Sequence, residues 1–333
     1  MRWPRANGLT LSIQGVLAVV TMLYGGTAFA VTCITQAQMT VSQRSELQQA
    51  ALHLGQLVQK GDTATIKTGT LPKVASQFEG IASGIQSSSP LIQGAALTVD
   101  QIYSLDASDL KQPQDTQFFC GVGGTPLAVA LNFQQLPPGQ YAFVILHATG
   151  VVQPQQMAFI LANDGGWKLA GFYVRPMLFA GHDGVWYWSQ ARDYAKKNQN
   201  WVAYFYYQTA QFLLIPVDFL GSPNLEKLQR EQAAALPSGL PGAQPMVLTL
   251  NGQSWNINSL RTDASLGGLD LVIHYQAQAG GDPVVSRQRA IEVMKAMLAA
   301  HPELRPAFHG LWVYADTPDH AEYAVELPMA QIP

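Results

Sequence analysis

Charged residues are scarce in this chain. Asp, Glu, Lys and Arg together make up 12% of its 333 residues, about half the roughly 25% that is usual in soluble domains. The formal net charge is only −3, and the sequence has no basic cluster that would attract nucleic acid or an anionic membrane. The composition therefore predicts no nucleic-acid partner and a surface covered largely by Gln, Asn, Ser and Thr.

The chain also lacks the short motifs that indicate a catalytic or cofactor mechanism. It contains no Gly-x-Ser-x-Gly elbow, no His-Glu-x-x-His, no Cys-x-x-Cys, and no phosphate-binding or EF-hand loop. The sequence therefore predicts no cofactor. It favours a non-enzymatic protein, although it leaves the question of an enzymatic activity open.

Long hydrophobic runs are missing beyond the N-terminus. Arg2 and Arg5 precede the mostly apolar stretch 9–23, and Ala28-Phe29-Ala30 is a small-x-small cleavage sequence. An uncleaved anchor is the alternative, but about 15 apolar residues are short for a bilayer span. We expect a signal peptide over residues 1–30, cleavage near Ala30, and a mature chain without a membrane span in the periplasm or outside the cell.

Only two cysteines are present, Cys33 and Cys120. Because an exported protein meets an oxidising compartment, the sequence favours a disulfide between them. Two buried free thiols and a lipid-modified Cys33 are the alternatives, and the residues Ala30-Val31-Thr32 fit a lipoprotein signal poorly. A bridge over so long a loop would stabilise the fold by about 4–5 kcal/mol in the loop-entropy description.

The apolar content of 48% is sufficient for two or three domains with cores. In the first, a Thr40-x-x-Gln43 capping box begins an amphipathic helix that ends at Gly61. Period-two patterns then predict strands, and Asn163-Asp164-Gly165-Gly166 predicts a hairpin turn. The predicted strands cover residues 127–133, 141–149, 156–162 and 167–174.

A helix followed by an antiparallel meander that closes with Gly166-Trp167-Lys168-Leu169 resembles the cystatin-like and NTF2-like superfamily. The resemblance covers residues 35–176 and implies a helix packed on a curved antiparallel sheet. It implies no particular activity, because such domains include ligand-binding proteins, small enzymes and structural modules.

Residues 186–216 form the most aromatic segment. Nine aromatic residues fall between Trp186 and Tyr207, in two runs separated by a polar break, which predicts an antiparallel helical hairpin. The spacing resembles a single tetratricopeptide unit, which must dock on a neighbour to bury its faces. We expect this segment either to dock within the chain or to contact a partner or ligand. The candidate binding residues are Trp186, Trp188, Tyr194, Trp201, Tyr204, Tyr206 and Tyr207.

The predicted organisation is α+β throughout. A cystatin/NTF2-like domain at 31–176 is followed by the helical hairpin and a third helix at 177–236, a Pro/Gly linker at 237–245, and a small α+β domain at 246–333. The last is expected to place one helix over an antiparallel sheet, because hairpin signals leave little room for parallel crossovers.

Polar candidates for chemistry are few. His182 and Asp183 could form an acid–base pair, but the sequence favours Asp183 as the cap of the following helix and His182 as a solvated residue. His147 and His274 lie within predicted strands and are expected to be packing residues. His309, Asp316, Asp319 and His320 contain metal-binding groups, yet their spacing matches no known site, so no metal centre is predicted.

These observations favour an exported envelope protein that acts as a non-enzymatic binding or scaffolding module. Its partner would be an unknown protein, a small molecule or a glycan. A small enzyme that uses His182 and Asp183, or His147, is one alternative. A carbohydrate-contacting surface built from Trp186, Trp188 and Trp201 is another.

Overall fold

The computed structural model describes residues 31–121, 128–277, 282–317 and 323–333. The predicted signal peptide lies outside these ranges. The predicted α+β class is confirmed. The helices are α1 (Val41–Lys60), α2 (Thr63–Thr68), α3 (Pro72–Ala75), α4 (Glu79–Ser88), α5 (Gly184–Lys196), α6 (Asn200–Leu214), α7 (Pro223–Ala234) and α8 (Pro283–Ala300). The strands are β1 (Thr32–Thr35), β2 (Ala96–Asp106), β3 (Gln114–Gly121), β4 (Ala128–Leu136), β5 (Gln140–Thr149), β6 (Gln155–Asn163), β7 (Trp167–Pro176), β8 (Leu178–Phe179), β9 (His182–Asp183), β10 (Leu220–Gly221), β11 (Met246–Leu250), β12 (Gln253–Asp263), β13 (Asp270–Gln276), β14 (Gly310–Asp316) and β15 (Tyr323–Pro328).

The first half is built on a five-stranded antiparallel sheet in the order β1-β2-β5-β6-β7. Helix α1 begins with the predicted capping box, in which the Gln43 backbone N–H donates to Thr40 Oγ1 and the Thr40 N–H donates to Gln43 Oε1. Its Leu47, Ala51 and Val58 are buried in the core that α1 and α4 form on one face of this sheet. The helix-on-sheet arrangement expected for this region is therefore present.

The opposite face of that sheet is covered by a second sheet in the order β10-β4-β3. Phe118, Leu131 and Phe143 are buried between the two sheets. The predicted meander is thus divided, because β4 pairs with β3 and β10 while β5, β6 and β7 stay in the larger sheet. The Cys33–Cys120 disulfide joins β1 to β3 across the sandwich, which confirms the predicted bridge.

Helices α5 and α6 form an antiparallel pair, and α7 packs against α6. The Asp183 carboxylate caps α5, and Ser222 caps α7 with Pro223 at its first position. The polar break between α5 and α6 contains Asn198 in a left-handed conformation at φ 58°, which Asn adopts more readily than most residues.

The C-terminal sheet has the order β11-β12-β13-β14-β15. Its neighbouring strands are antiparallel except β13 and β14, which are parallel. The expectation of a purely antiparallel sheet is therefore wrong at this pair. Helix α8 lies between β13 and β14 in the chain and returns it to the starting end of the sheet, as a β-α-β crossover does.

One continuous core joins the helices α5, α6 and α7 to the C-terminal sheet and α8. Phe205, Tyr206 and Leu271 all belong to it, so the helical pair packs on the C-terminal unit. Nowhere in the four described ranges is there a helix that is both long and apolar enough to cross a membrane.

Candidate functional site

The seven aromatic residues that were candidates for binding belong to this core or pack against it. Trp201, Tyr206 and Tyr207 are buried, and Trp186, Trp188, Tyr194 and Tyr204 are partly buried against the same cluster. The Tyr206 hydroxyl donates a 2.7 Å hydrogen bond to the Ala307 carbonyl. Burial raises the pKa of Tyr207 to about 12, so its hydroxyl is neutral at physiological pH. Tyr206, together with Trp201, whose ring packs on that of His301, connects the helices to the C-terminal unit.

Trp188 and Arg192 of α5 share one acidic partner on α7. The Trp188 Nε1–H and the Arg192 Nε–H each donate a 2.7 Å hydrogen bond to Glu231 Oε2, and Arg192 Nη2 donates to the other carboxylate oxygen. The Arg192 guanidinium also lies over the Trp188 ring, 4.4 Å from its centroid. The polar edge of Trp188 is therefore used to attach α7 to α5.

His182 and Asp183 meet at the start of α5 but serve local structure. Asp183 Oδ1 accepts a 2.8 Å hydrogen bond from the Trp186 backbone N–H, which is the interaction of a helix cap. The exposed His182 ring stacks on the Trp186 ring, with 3.6 Å between centroids. His147 lies elsewhere, on the central strand β5, where it pairs in register with Thr98 and Gln156.

Two of the four residues considered for a metal site, His309 and Asp316, lie at opposite ends of β14. His309 precedes β14 and its Nδ1 lies 2.9 Å from Asp270 Oδ1, whereas Asp316 ends β14 and its Oδ1 lies 2.9 Å from His274 Nδ1. Asp319 and His320 lie outside the described residues. The parallel pairing of β13 and β14 therefore produces two His–Asp pairs, one at each end of the strands.

Glu326 of β15 lies beside the pair of Asp270 and His309. One ligand atom from each of Asp270, His309 and Glu326 lies within 4.8 Å of the others. The Asp270 side chain is fully buried and that of His309 is 45% exposed. Burial raises the pKa of both carboxyl groups, and the nearby Asp270 raises that of Glu326 further.

A concave surface lies in the first half, where residues of β3, β4, β7 and the segment before β10 surround a groove of about 700 Å³. Three aromatic rings form its apolar part. The Phe219 ring centroid lies 5.0 Å from that of Phe133 and 5.6 Å from that of Tyr173. Tyr173 is 42% exposed, and Phe133 and Phe219 are half-buried, so a ligand could reach part of this aromatic group.

Amide and carboxylate groups surround these rings. The Gln117 Nε2–H donates a 2.7 Å hydrogen bond to Asn132 Oδ1, and both side chains are exposed. Asp218 forms an ion pair with Arg175 at 2.6 Å. Among the described residues that line the groove, none is Lys, Arg or His. The groove therefore combines aromatic faces with uncharged and acidic hydrogen-bonding groups.

Sequence patterns did not predict this groove. Its aromatic residues are far apart in the chain, and each alone is an ordinary strand or loop residue. Period-two alternation places Phe133 on the face that meets the larger sheet, but it does not reveal which part of that face stays open. A prediction of the groove would have required knowledge of how the two sheets pack against each other.

No protein-family model matches the chain, and no curated protein or solved structure is significantly similar to it.

Proposed function

We propose that this protein is an exported, non-enzymatic binding module whose ligand lies in the groove of its first half. The observation that supports this function is the aromatic group of half-buried Phe133 and Phe219 and exposed Tyr173 in a concave surface, with amide groups beside it. Binding sites typically combine apolar walls with a few placed polar groups. The aromatic helices, in contrast, pack against the core of the chain.

The proposed ligand is a neutral saccharide chain. Sugar rings have apolar C–H faces that pack on aromatic rings, and their hydroxyl groups hydrogen-bond with amides and carboxylates. The groove offers Gln117, Asn132 and Asp218 for such bonds. An anionic ligand fits less well, because Asp115 and Asp218 line the groove and the nearby Arg175 is paired with Asp218.

Export to the periplasm or the cell exterior, after cleavage near Ala30, is part of the proposal. The Cys33–Cys120 disulfide supports it, because such bridges persist in oxidising compartments. The first half would then be a cystatin-like or NTF2-like binding domain, and the bridge would hold together the two sheets that form the groove.

The test is binding to an array of neutral oligosaccharides, followed by calorimetry with the strongest ligand. We expect Tyr173→Ala and Phe219→Ala to weaken binding at least about tenfold, since stacked aromatic contacts contribute substantially to affinity. Phe119→Ala is the matched control, because Phe119 is a 65% exposed aromatic residue of the same unit that does not line the groove. An array without binding, or equal losses in all three variants, would refute the proposal.

A further inference from the structure

A second site, independent of the groove, lies at one end of the C-terminal sheet. Asp270 begins β13, Gly310 begins β14 directly after His309, and Glu326 lies on the adjacent strand β15. Three neighbouring strands thus bring two carboxylates and one imidazole together, each with a ligand atom within 4.8 Å of the others.

Each of the two carboxylates has one oxygen that the described residues around it leave without a hydrogen bond. Asp270 Oδ2 and Glu326 Oε1 are buried and have no hydrogen-bond partner among the described residues. Asp270 is fully buried, and its other oxygen already meets His309 Nδ1. Buried anionic oxygens without partners are costly, and proteins usually compensate them with a cation or a metal ion.

The backbone leaves space for this arrangement. A Cβ atom added at Gly310 would lie 2.9 Å from Asp270 Oδ1 and 3.0 Å from Glu326 Oε1. A Cβ atom at Gly268 would collide with the His309 ring. Two glycines therefore permit the carboxylates and the imidazole to approach each other, which a larger residue at either position would prevent.

We propose that Asp270, His309 and Glu326 bind a divalent transition-metal ion, with Zn²⁺ as the preferred member of that class. One imidazole and two carboxylates are a ligand set that zinc accepts. Donor atoms around tetrahedral zinc lie about 3.4 Å apart, so the three groups, now within 4.8 Å of one another, must close toward that spacing when they share one ion. The partly exposed His309 leaves the remaining coordination position open to water or to an exogenous ligand.

The test is zinc titration of the full chain after chelator treatment, measured by calorimetry and thermal unfolding. We expect one Zn²⁺ per chain, a higher melting temperature with zinc, and reversal by chelator. His309→Ala and Glu326→Gln should each weaken zinc binding at least tenfold, because even groups that only orient metal ligands cost about 10–100-fold. His274→Ala is the matched control, since His274 forms the other His–Asp pair on the same strands.

Cobalt binding provides a second test that requires no variant. Stoichiometric Co²⁺ should produce a visible absorption band, and one equivalent of Zn²⁺ should remove it. Absence of that band, or zinc affinity that changes equally in His274→Ala and Glu326→Gln, would overturn the site. Stabilisation by Glu326→Gln without any zinc effect would show instead that the two carboxyl groups share a proton.

Discussion

Two groups of aromatic side chains in this protein differ in how close together they lie in the sequence and in how far they are buried. Nine aromatic residues of α5 and α6 fall in the short segment from Trp186 to Tyr207, and these form or border a core. Phe133, Tyr173 and Phe219 are spread over 87 positions, and together they line an open groove. High local density of aromatic residues therefore indicates burial here, whereas the candidate contact surface is assembled from distant strands.

The difference has a physical cause. Aromatic residues on two adjacent helices can bury large areas against one another and against a neighbouring sheet, and this burial is the main stabilising term available to a hairpin. A groove between two sheets needs only a few rings at the place where the sheets separate. A dense aromatic segment is thus a good indicator of an intramolecular interface and a poor indicator of a ligand site.

Removal of the disulfide should give the largest effect and should affect the half that contains the groove. The double variant Cys33→Ser, Cys120→Ser is expected to lose about 4–5 kcal/mol of unfolding free energy, because the bridge closes a long loop. Urea unfolding measures the loss, and saccharide binding should weaken with it. An unchanged urea midpoint would contradict the role of this disulfide in stabilising the two packed sheets.

The second-largest loss of stability is expected from truncation of a buried aromatic residue in the helical pair. Trp201 is 8% exposed, and its ring lies 3.9 Å from that of His301. Trp201→Ala should therefore cost about 3–5 kcal/mol of unfolding free energy. Tyr173→Ala is the contrast and should cost less than about 1 kcal/mol, because that side chain is 42% exposed. Similar losses in both variants would remove the distinction between core and groove.

A smaller effect is expected from one buried hydroxyl. Tyr206→Phe keeps the ring and removes the hydrogen bond to the Ala307 carbonyl, which leaves that acceptor without its buried donor. We expect a loss of about 1–2 kcal/mol in denaturant unfolding. Tyr204→Phe is the control, because Tyr204 is only partly buried. A loss no greater than that of the control would show that the bond adds nothing to the docking of the helices.

The smallest expected effect is on the pH dependence of the unfolding free energy. Burial lowers the pKa of His301, although Glu303 opposes this shift. The unfolded chain therefore binds the proton first as pH falls below about 6.5, and this group makes the unfolding free energy decrease with falling pH. His301→Gln should flatten the stability profile between pH 7.5 and 5, measured by thermal unfolding. A steeper dependence of stability on pH in the variant would show that folding raises the pKa of His301 instead of lowering it.

Local features of the fold could be predicted from the sequence because they depend on neighbouring residues. The cap at Thr40 and the turn at Asn163-Asp164-Gly165-Gly166, where φ is 68° at Gly165 and 135° at Gly166, are both present as expected. The Cys33–Cys120 bridge was also predictable, because the chain has one possible pair.

Non-local features could not be predicted in the same way. The apolar run Leu271-Val272-Ile273 of β13 suits a buried strand in either a parallel or an antiparallel sheet, so the sequence did not predict that β13 and β14 pair in parallel. Asp270 and Glu326 are 56 positions apart, and nothing in their local sequence connects them. The groove and this cluster both depend on strand order, which single-sequence patterns do not specify.

The most direct test of the central claim is hydroxyl-radical footprinting of tyrosines, read by peptide mass spectrometry with and without the selected saccharide. The account predicts rapid oxidation of Tyr173, slow oxidation of Tyr206 and Tyr207, and saccharide protection confined to Tyr173. Protection of the α5–α6 tyrosines, with Tyr173 unaffected, would contradict it and assign the ligand surface to the aromatic helices.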